Sequence, residues 1–207
     1  GLISLSALVF PMFGPLGVIA LMAVAVLVAT FGERAVLPWR IGGVVFFGLV
    51  VIAVLAMRGQ GGAGIVAGWY LGIVIALNDT GAFFVGRLIG GPKLAPTISP
   101  AKTWSGATGG WVLGTAAGLI YWIIFTHSPW VFGLLFSGLL GLVGQAGDLT
   151  ESAVKRVFRV KDSGDIIPGH GGFMDRLDSV TFGVLLLFLI GLLHGGIGNV
   201  AGGFLYW

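Results

Sequence analysis

Long apolar runs separated by short polar breaks fix most of what this chain can become. They fall at residues 2–31, 41–57, 65–85, 104–125, 130–147 and 180–193. Crossing roughly 30 Å of hydrocarbon takes about 20 helical residues, because each residue advances the axis by about 1.5 Å. A membrane barrel would instead show alternating stretches of about ten residues, and the sequence has no such pattern. The expected fold is therefore all-α, a polytopic membrane bundle of about six transmembrane helices. Charged residues make up only 9% of the chain, against the roughly 25% of soluble domains. Cysteine is absent, which excludes disulfides and thiolate metal sites.

The breaks carry information of their own. Pro11, Gly14 and Pro15 interrupt the first run, which reads as one span with a broken start. The chain opens on Gly1 with no basic flank, so no intact signal peptide is expected and a trimmed N-terminus is. The fourth run repeats glycine at 106, 110, 114 and 118, and the fifth at 138, 141, 144 and 147. Stripes of this kind let helix backbones approach closely. The proline-rich segment 87–103 reads as a polar loop, and the last residues as a glycine-rich aromatic tail.

Alternate connections of six spans share one membrane face. Segments 32–40, 87–103 and 148–178 then hold ten of the eleven Lys and Arg, leaving Arg58 opposite. The positive-inside rule puts that face in the cytoplasm. All eight acidic residues lie on or near the same side, six of them between Asp148 and Asp178. Orientation accounts for the basic excess but not for the acids.

From Asp148 onward a helix would place Asp148, Ser152, Lys155 and Arg159 on one polar face and Ala153, Val154, Val157 and Phe158 on an apolar one. Such a helix can lie along the membrane surface with its charges simply in water. The following segment, Lys161–Asp165 and Pro168–Gly172, contains four glycines, which let backbone N–H groups approach an anion. Asp148 at the end of one span, and Asp175 and Asp178 at the entry to the next, bring carboxylates toward one point. Unpaired acids there would cost several kcal/mol, so Lys or Arg, or a metal ion, must compensate them. Hard oxygen donors with only His170 nearby favour Mg²⁺ over zinc. Acids for metal beside basic groups for phosphate oxygens is what phosphoryl or nucleotidyl transfer needs.

The run Ser152-x-x-Lys155-Arg156, Lys161-Asp162, Gly164, Pro168-x-His170-Gly171-Gly172-x-x-Asp175-Arg176-x-Asp178 resembles the signature of the phosphatidate cytidylyltransferase (CDP-diacylglycerol synthase) family. Asn78-Asp79-Thr80-Gly81-Ala82, Gly86-Arg87, Lys93–Pro96 and Ile98-Ser99-Pro100-x-Lys102-Thr103-Trp104 look like a second block of that family. The resemblance covers residues 78 to 180. Phe83 and Ser105 depart from it, standing where the family often has an aromatic hydroxyl and an acid. It implies transfer of the cytidylyl group from CTP to phosphatidic acid, giving CDP-diacylglycerol and pyrophosphate with Mg²⁺ and more than one metal ion. Carried over by position, Asp148 and Asp175 are metal ligands, with Asp79 and Asp178 as further candidates. Lys155, Arg156 and Lys161 are candidates for CTP phosphates. Ser99, Lys102 and Thr103 stand as substrate contacts, joined by Ser152, His170 and Arg176, with an orienting role expected for His170.

One membrane domain over residues 1–207 is expected, with N-terminal spans in 1–70 and the catalytic helices in 71–207. The implied partners are CTP, phosphatidic acid and membrane lipids, with a homodimer as a further expectation and no nucleic acid. A bacterial inner membrane is the expected location. Rival readings are a small transporter or channel, for which an intramembrane Asp79 would also serve, and a CTP-dependent transferase or kinase acting on another lipid. Polar residues gather at one membrane face rather than lining a path across both, which favours surface chemistry.

Overall fold

The computed structural model describes residues 17, 20–28, 30–31, 36–58, 61–160 and 178–207. Among them, five helices are long and apolar enough to cross a membrane: α1 (Leu37–Arg58), α2 (Gly62–Ile89), α3 (Trp104–Phe125), α4 (Trp130–Val157) and α5 (Asp178–Gly195). Residues 20–28 are helical as well, and most of the rest of the first apolar run lies outside the described residues. The protein is an all-α polytopic membrane protein, and its second to sixth spans stand where the apolar runs placed them.

Glycine decides how these helices meet. Along α3, a Cβ at Gly106 would stand 2.7 Å from the Ala82 carbonyl oxygen, and one at Gly114 would stand 2.9 Å from that of Val74. The stripe thus sets α3 directly on the backbone of α2, the close contact its spacing predicts. On α4, Gly133 faces Trp122, Gly144 faces Ile75 and Gly147 faces Phe182, so this helix packs against α3, α2 and α5 in turn.

Three boundaries differ from the sequence-based expectation. The segment after Asp148 is not a separate surface helix: α4 runs unbroken for 28 residues to Val157. No proline or turn interrupts Gly147–Asp148, and about 42 Å of helix exceeds the roughly 30 Å hydrocarbon core, so its last turns extend past the bilayer. It ends in a Schellman closure, with Val160 N–H donating to Lys155 O (3.0 Å), Arg159 N–H to Arg156 O (3.1 Å), and Arg159 at φ 56°. The 87–103 loop is shorter than expected, because α2 continues to Ile89. It contains an antiparallel hairpin, β1 (Lys93–Ala95) and β2 (Ser99–Thr103), pairing Lys93 with Thr103 and Ala95 with Ser99. The aromatic tail is a short buried helix, α6 (Val200–Leu205), reached through a 3-10 turn at Ile197–Asn199. Small residues let it in: a Cβ at Gly195 would lie 2.6 Å from Gly203 Cα.

Away from the charged end the bundle closes on an aromatic core. Tyr70, Trp122, Phe136 and Phe204 stand with ring centroids 5.4–5.7 Å apart, and the Tyr70 hydroxyl bonds Ser137 Oγ at 2.7 Å. His194 stacks on Trp207 at 3.9 Å and its Nδ1 meets Gly203 O at 2.8 Å, a span-end role. Rigid packing at this end leaves the opposite end to carry polar chemistry.

Candidate active site

The site begins with an acid inside a span. Asp79 lies ten residues before the end of α2, about 15 Å along the axis from the charged face. Above it the chain must reverse sharply, and Gly90 and Gly91 do so at φ 65° and 104°, values that glycine adopts without steric cost. The hairpin then folds back over the helix ends. Its turn, Ala95-Pro96-Thr97-Ile98, is closed by Ile98 N–H to Ala95 O at 3.2 Å, with proline at the position whose φ it presets.

The hairpin's base is tied to α3. Thr103 caps that helix, its Oγ1 accepting from Gly106 N–H at 3.1 Å. Trp104 N–H donates to Pro92 O at 3.0 Å, and the Ser105 hydroxyl donates to Gly90 O. Ser105, one of the two departures from the family pattern, thus fastens the helix end to the hairpin. Phe83, the other, lies under the Arg87 guanidinium at 5.7 Å.

These elements enclose a cavity of about 430 Å³ between α2, α3, α4 and the hairpin. Asp79, Arg87, Lys102, Thr103, Gln145 and Asp148 supply its polar lining. Lys102 reaches from β2 to form an ion pair with Asp148 on α4, both side chains partly buried. Asp79 stands within electrostatic reach of Asp148, Asp178 and Lys102. Asp178, at the first turn of α5, accepts Ser179 N–H at 2.7 Å and lies within hydrogen-bonding reach of Glu151. Among the described residues, Asp79, Asp148 and Asp178 thus converge on Lys102, an arrangement of acids that a further cation would favour. Among the described residues, no three His, Cys, Asp or Glu side chains form a metal-holding group. Mg²⁺, however, usually takes one or two carboxylates and fills its shell with water and phosphate. The hard oxygen donors here fit that habit.

A buried amide network holds the centre in register. Gln145 Nε2 donates to Asn78 Oδ1 and to Ala107 O, both at 2.9 Å, and Asn78 Nδ2 donates to Gly141 O at 3.4 Å. Asn78 is fully buried. The network joins α2, α3 and α4 directly beside Asp79 and one turn before Asp148. Sequence reasoning passed over Gln145, although a glutamine three residues before Asp148 shares its helix face and must find partners inside a span.

Of the sequence-predicted residues, Asp79, Lys102, Thr103 and Asp148 meet at this cavity. Ser99 sits on β2 opposite Ala95. Arg156 clamps the hairpin, its Nε donating to Ile98 O at 3.2 Å. Lys155 lines a second, neighbouring cavity and lies 3.8 Å from Glu151. Ser152 is on α4 but borders neither cavity. Lys161, His170, Asp175 and Arg176 lie outside the described residues.

Residues 4–194 match the model of the cytidylyltransferase family. The chain belongs to that family. The match reaches well into the first 70 residues, which the sequence motifs alone left unassigned. Among its curated relatives, the phosphatidate cytidylyltransferase of Brucella suis is 40% identical over 179 residues, covering 83% of this chain and 66% of the relative. The enzyme of the same name from Bacillus subtilis is 44% identical over 123 residues, covering 59% and 46%, and that from Helicobacter pylori 42% over 153, covering 74% and 54%. This cytidylyltransferase-family chain thus spans less than two thirds of the length of the relatives it matches.

Proposed function

We propose that this protein transfers the cytidylyl group of CTP to phosphatidic acid, releasing pyrophosphate and forming CDP-diacylglycerol. The observation that carries the reading is the Asp79–Asp148–Lys102 cavity, sunk from the charged face into the bundle, in a chain 40% identical to a phosphatidate cytidylyltransferase. One substrate is a water-soluble polyanion and the other a phosphate held at the bilayer surface, so chemistry at the membrane boundary suits both.

In the proposed reaction a phosphatidate oxygen attacks the α-phosphorus of CTP in line. The new oxygen–phosphorus bond forms as the α–β bridging bond breaks, and the electron pair leaves with pyrophosphate. Lys102, Arg87 and the hairpin face the cavity or its rim and would draw phosphate oxygens in. The Asn78–Gln145 network would keep Asp79 and Asp148 at fixed separation. Mg²⁺ would be held by Asp148 together with Asp175, with Asp79 or Asp178 as additional donors. Once bound, it would screen the two polyanions and stabilise charge spread over the transferred phosphoryl group. Its charge would also offset the mutual repulsion of Asp79, Asp148 and Asp178.

The basic excess at the charged end supports placing that end in the cytoplasm, and the sources of the relatives support a bacterial inner membrane as the location. To test the function, purified protein is incubated with Mg²⁺, phosphatidic acid and each nucleoside triphosphate in turn. Pyrophosphate and a CDP-lipid should form with CTP and not with ATP. Equal product with ATP, or none with CTP, would refute the reading.

A further inference from the structure

A second cavity, of about 690 Å³, lies beside the first, between the start of α1, the end of α4 and the start of α5. Its walls are apolar: Trp39, Phe46, Phe47, Val154, Phe158 and Phe182. One end is different in kind, because Glu151, Lys155 and Asp178 border it there, and Asp178 belongs electrostatically to the acid cluster of the first cavity. The two cavities thus occupy adjacent sectors of α4 and adjoin the same charged centre. Gly42 and Gly43 lie on the α1 side of the groove, and a Cβ at either would meet nothing within 4 Å. Among the described residues, that side of the groove is open space.

We propose that this groove seats the acyl-glycerol portion of the lipid substrate, with its phosphate beside the basic groups at the groove's border, while the nucleotide occupies the Asp79–Lys102 cavity. The proposal rests on the phosphatidate reading above and assigns its second substrate a place. Chemistry selects the occupant. A nucleoside triphosphate would leave its ribose and phosphates against aromatic walls with few partners, at a large desolvation cost. An amphiphile has the matching order, an apolar body along the aromatic walls and an anionic head near Lys155 and Arg40 at the groove's border. The groove also opens at the charged ends of its helices, where a lipid phosphate resides.

The test plugs the groove without disturbing the fold. Gly43→Phe places a ring in open space and replaces glycine in a helix, which favours helix formation. Gly42→Leu is a second, smaller plug. Gly68→Phe is the control, since a Cβ there also meets nothing within 4 Å and Gly68 borders neither cavity. With long-chain phosphatidate in mixed micelles, either plug should raise the lipid KM about tenfold or more, a range typical of lost apolar pocket contacts. The KM for CTP should stay unchanged, and dibutyryl phosphatidate should be affected far less. Unchanged lipid KM in both plugs, or an equal rise for CTP, overturns the assignment.

Photolabelling reads binding apart from turnover. Phosphatidate with a diazirine near its chain end, in nanodiscs of the wild-type protein, should mark Trp39, Phe46, Phe47 or Phe182, and Gly43→Phe should abolish that labelling. Labelling confined to outward positions of α2 and α3, or a groove left unlabelled, refutes the proposal. Should the groove label while no CDP-lipid ever forms, the groove assignment stands and the cytidylyl-transfer reading fails.

Discussion

In the proposed reaction most of the chemistry converges on Asp148, which pairs with Lys102, lies within electrostatic reach of Asp79 and ends the helix face that begins with Gln145. Replacing its carboxylate by an amide keeps the shape but removes the charge that pairs with Lys102 and that the proposed metal ion would need. Asp148→Asn should lower kcat by about a hundredfold or more, the scale seen when one charge-stabilising group is lost from a catalytic centre. Pyrophosphate release measures it, and a wild-type melting profile in detergent shows that the fold survives; near-normal turnover would remove Asp148 from the mechanism. Gln145 behaves differently because it touches Asn78 rather than the reacting atoms. Gln145→Leu leaves the buried Asn78 Oδ1 without its Gln145 donor, a cost of about 1–3 kcal/mol, so melting temperature should fall. Gln145→Glu keeps one acceptor but loses the donor to Asn78 Oδ1 and should not rescue it. An unchanged melting temperature for Gln145→Leu would mean the network carries no load. Such a contact was hidden in the sequence, where Asn78 and Gln145 stand 67 positions apart and nothing local pairs them.

At the scale of elements, the α2–α3 pair is the frame on which the site hangs, and its geometry follows from missing side chains. A Cβ at Gly114 would meet Val74 O at 2.9 Å and Asn78 Cβ at 3.0 Å, contacts too short for the backbone to absorb. Gly114→Leu should cost about 1–3 kcal/mol or more by overpacking and should lower the melting temperature, with activity falling because Asn78 shifts; a wild-type melt would argue against close backbone contact. This much was legible in the fourfold glycine spacing, since a period near that of the helix names the contacting face. The hairpin was not legible. Its strands are three and five residues long, the second carries Pro100, and neither has a long alternating pattern, so the return path imposed by Gly90 and Gly91 is what makes them pair. The long α4 was misjudged for a related reason: hydropathy marks where the bilayer ends, whereas a helix ends only where a cap or breaker stops it. Thr103→Ala tests the hairpin's anchorage, since loss of the cap should cost about 1 kcal/mol and should loosen Lys102 beside it. The expected result is a raised KM for CTP with a modestly lower melting temperature, and a KM that does not move would detach the hairpin from substrate binding.

At the scale of the whole molecule, the chain divides its two ends between different tasks. Aromatic rings and α6 fix one end, while among the described residues the charged groups other than Arg58, both cavities and the hairpin gather at the other. That polarity was plain in the sequence, because the charged breaks alternate with nearly bare ones. The positive excess argues for a cytoplasmic face for the proposed chemistry, and the face can be measured directly. The chain has no cysteine, so single substitutions give an unambiguous signal. Thr97 lies exposed at the hairpin tip and His127 exposed in the turn between α3 and α4, at opposite ends of the same helix. A membrane-impermeant maleimide applied to intact spheroplasts should label His127→Cys and leave Thr97→Cys untouched. Inside-out vesicles should reverse the pattern, which also controls for intrinsic reactivity. The opposite result would put the cavity on the outer face, out of reach of a cytosolic nucleoside triphosphate, and would remove CTP from the reaction even with every cavity contact intact.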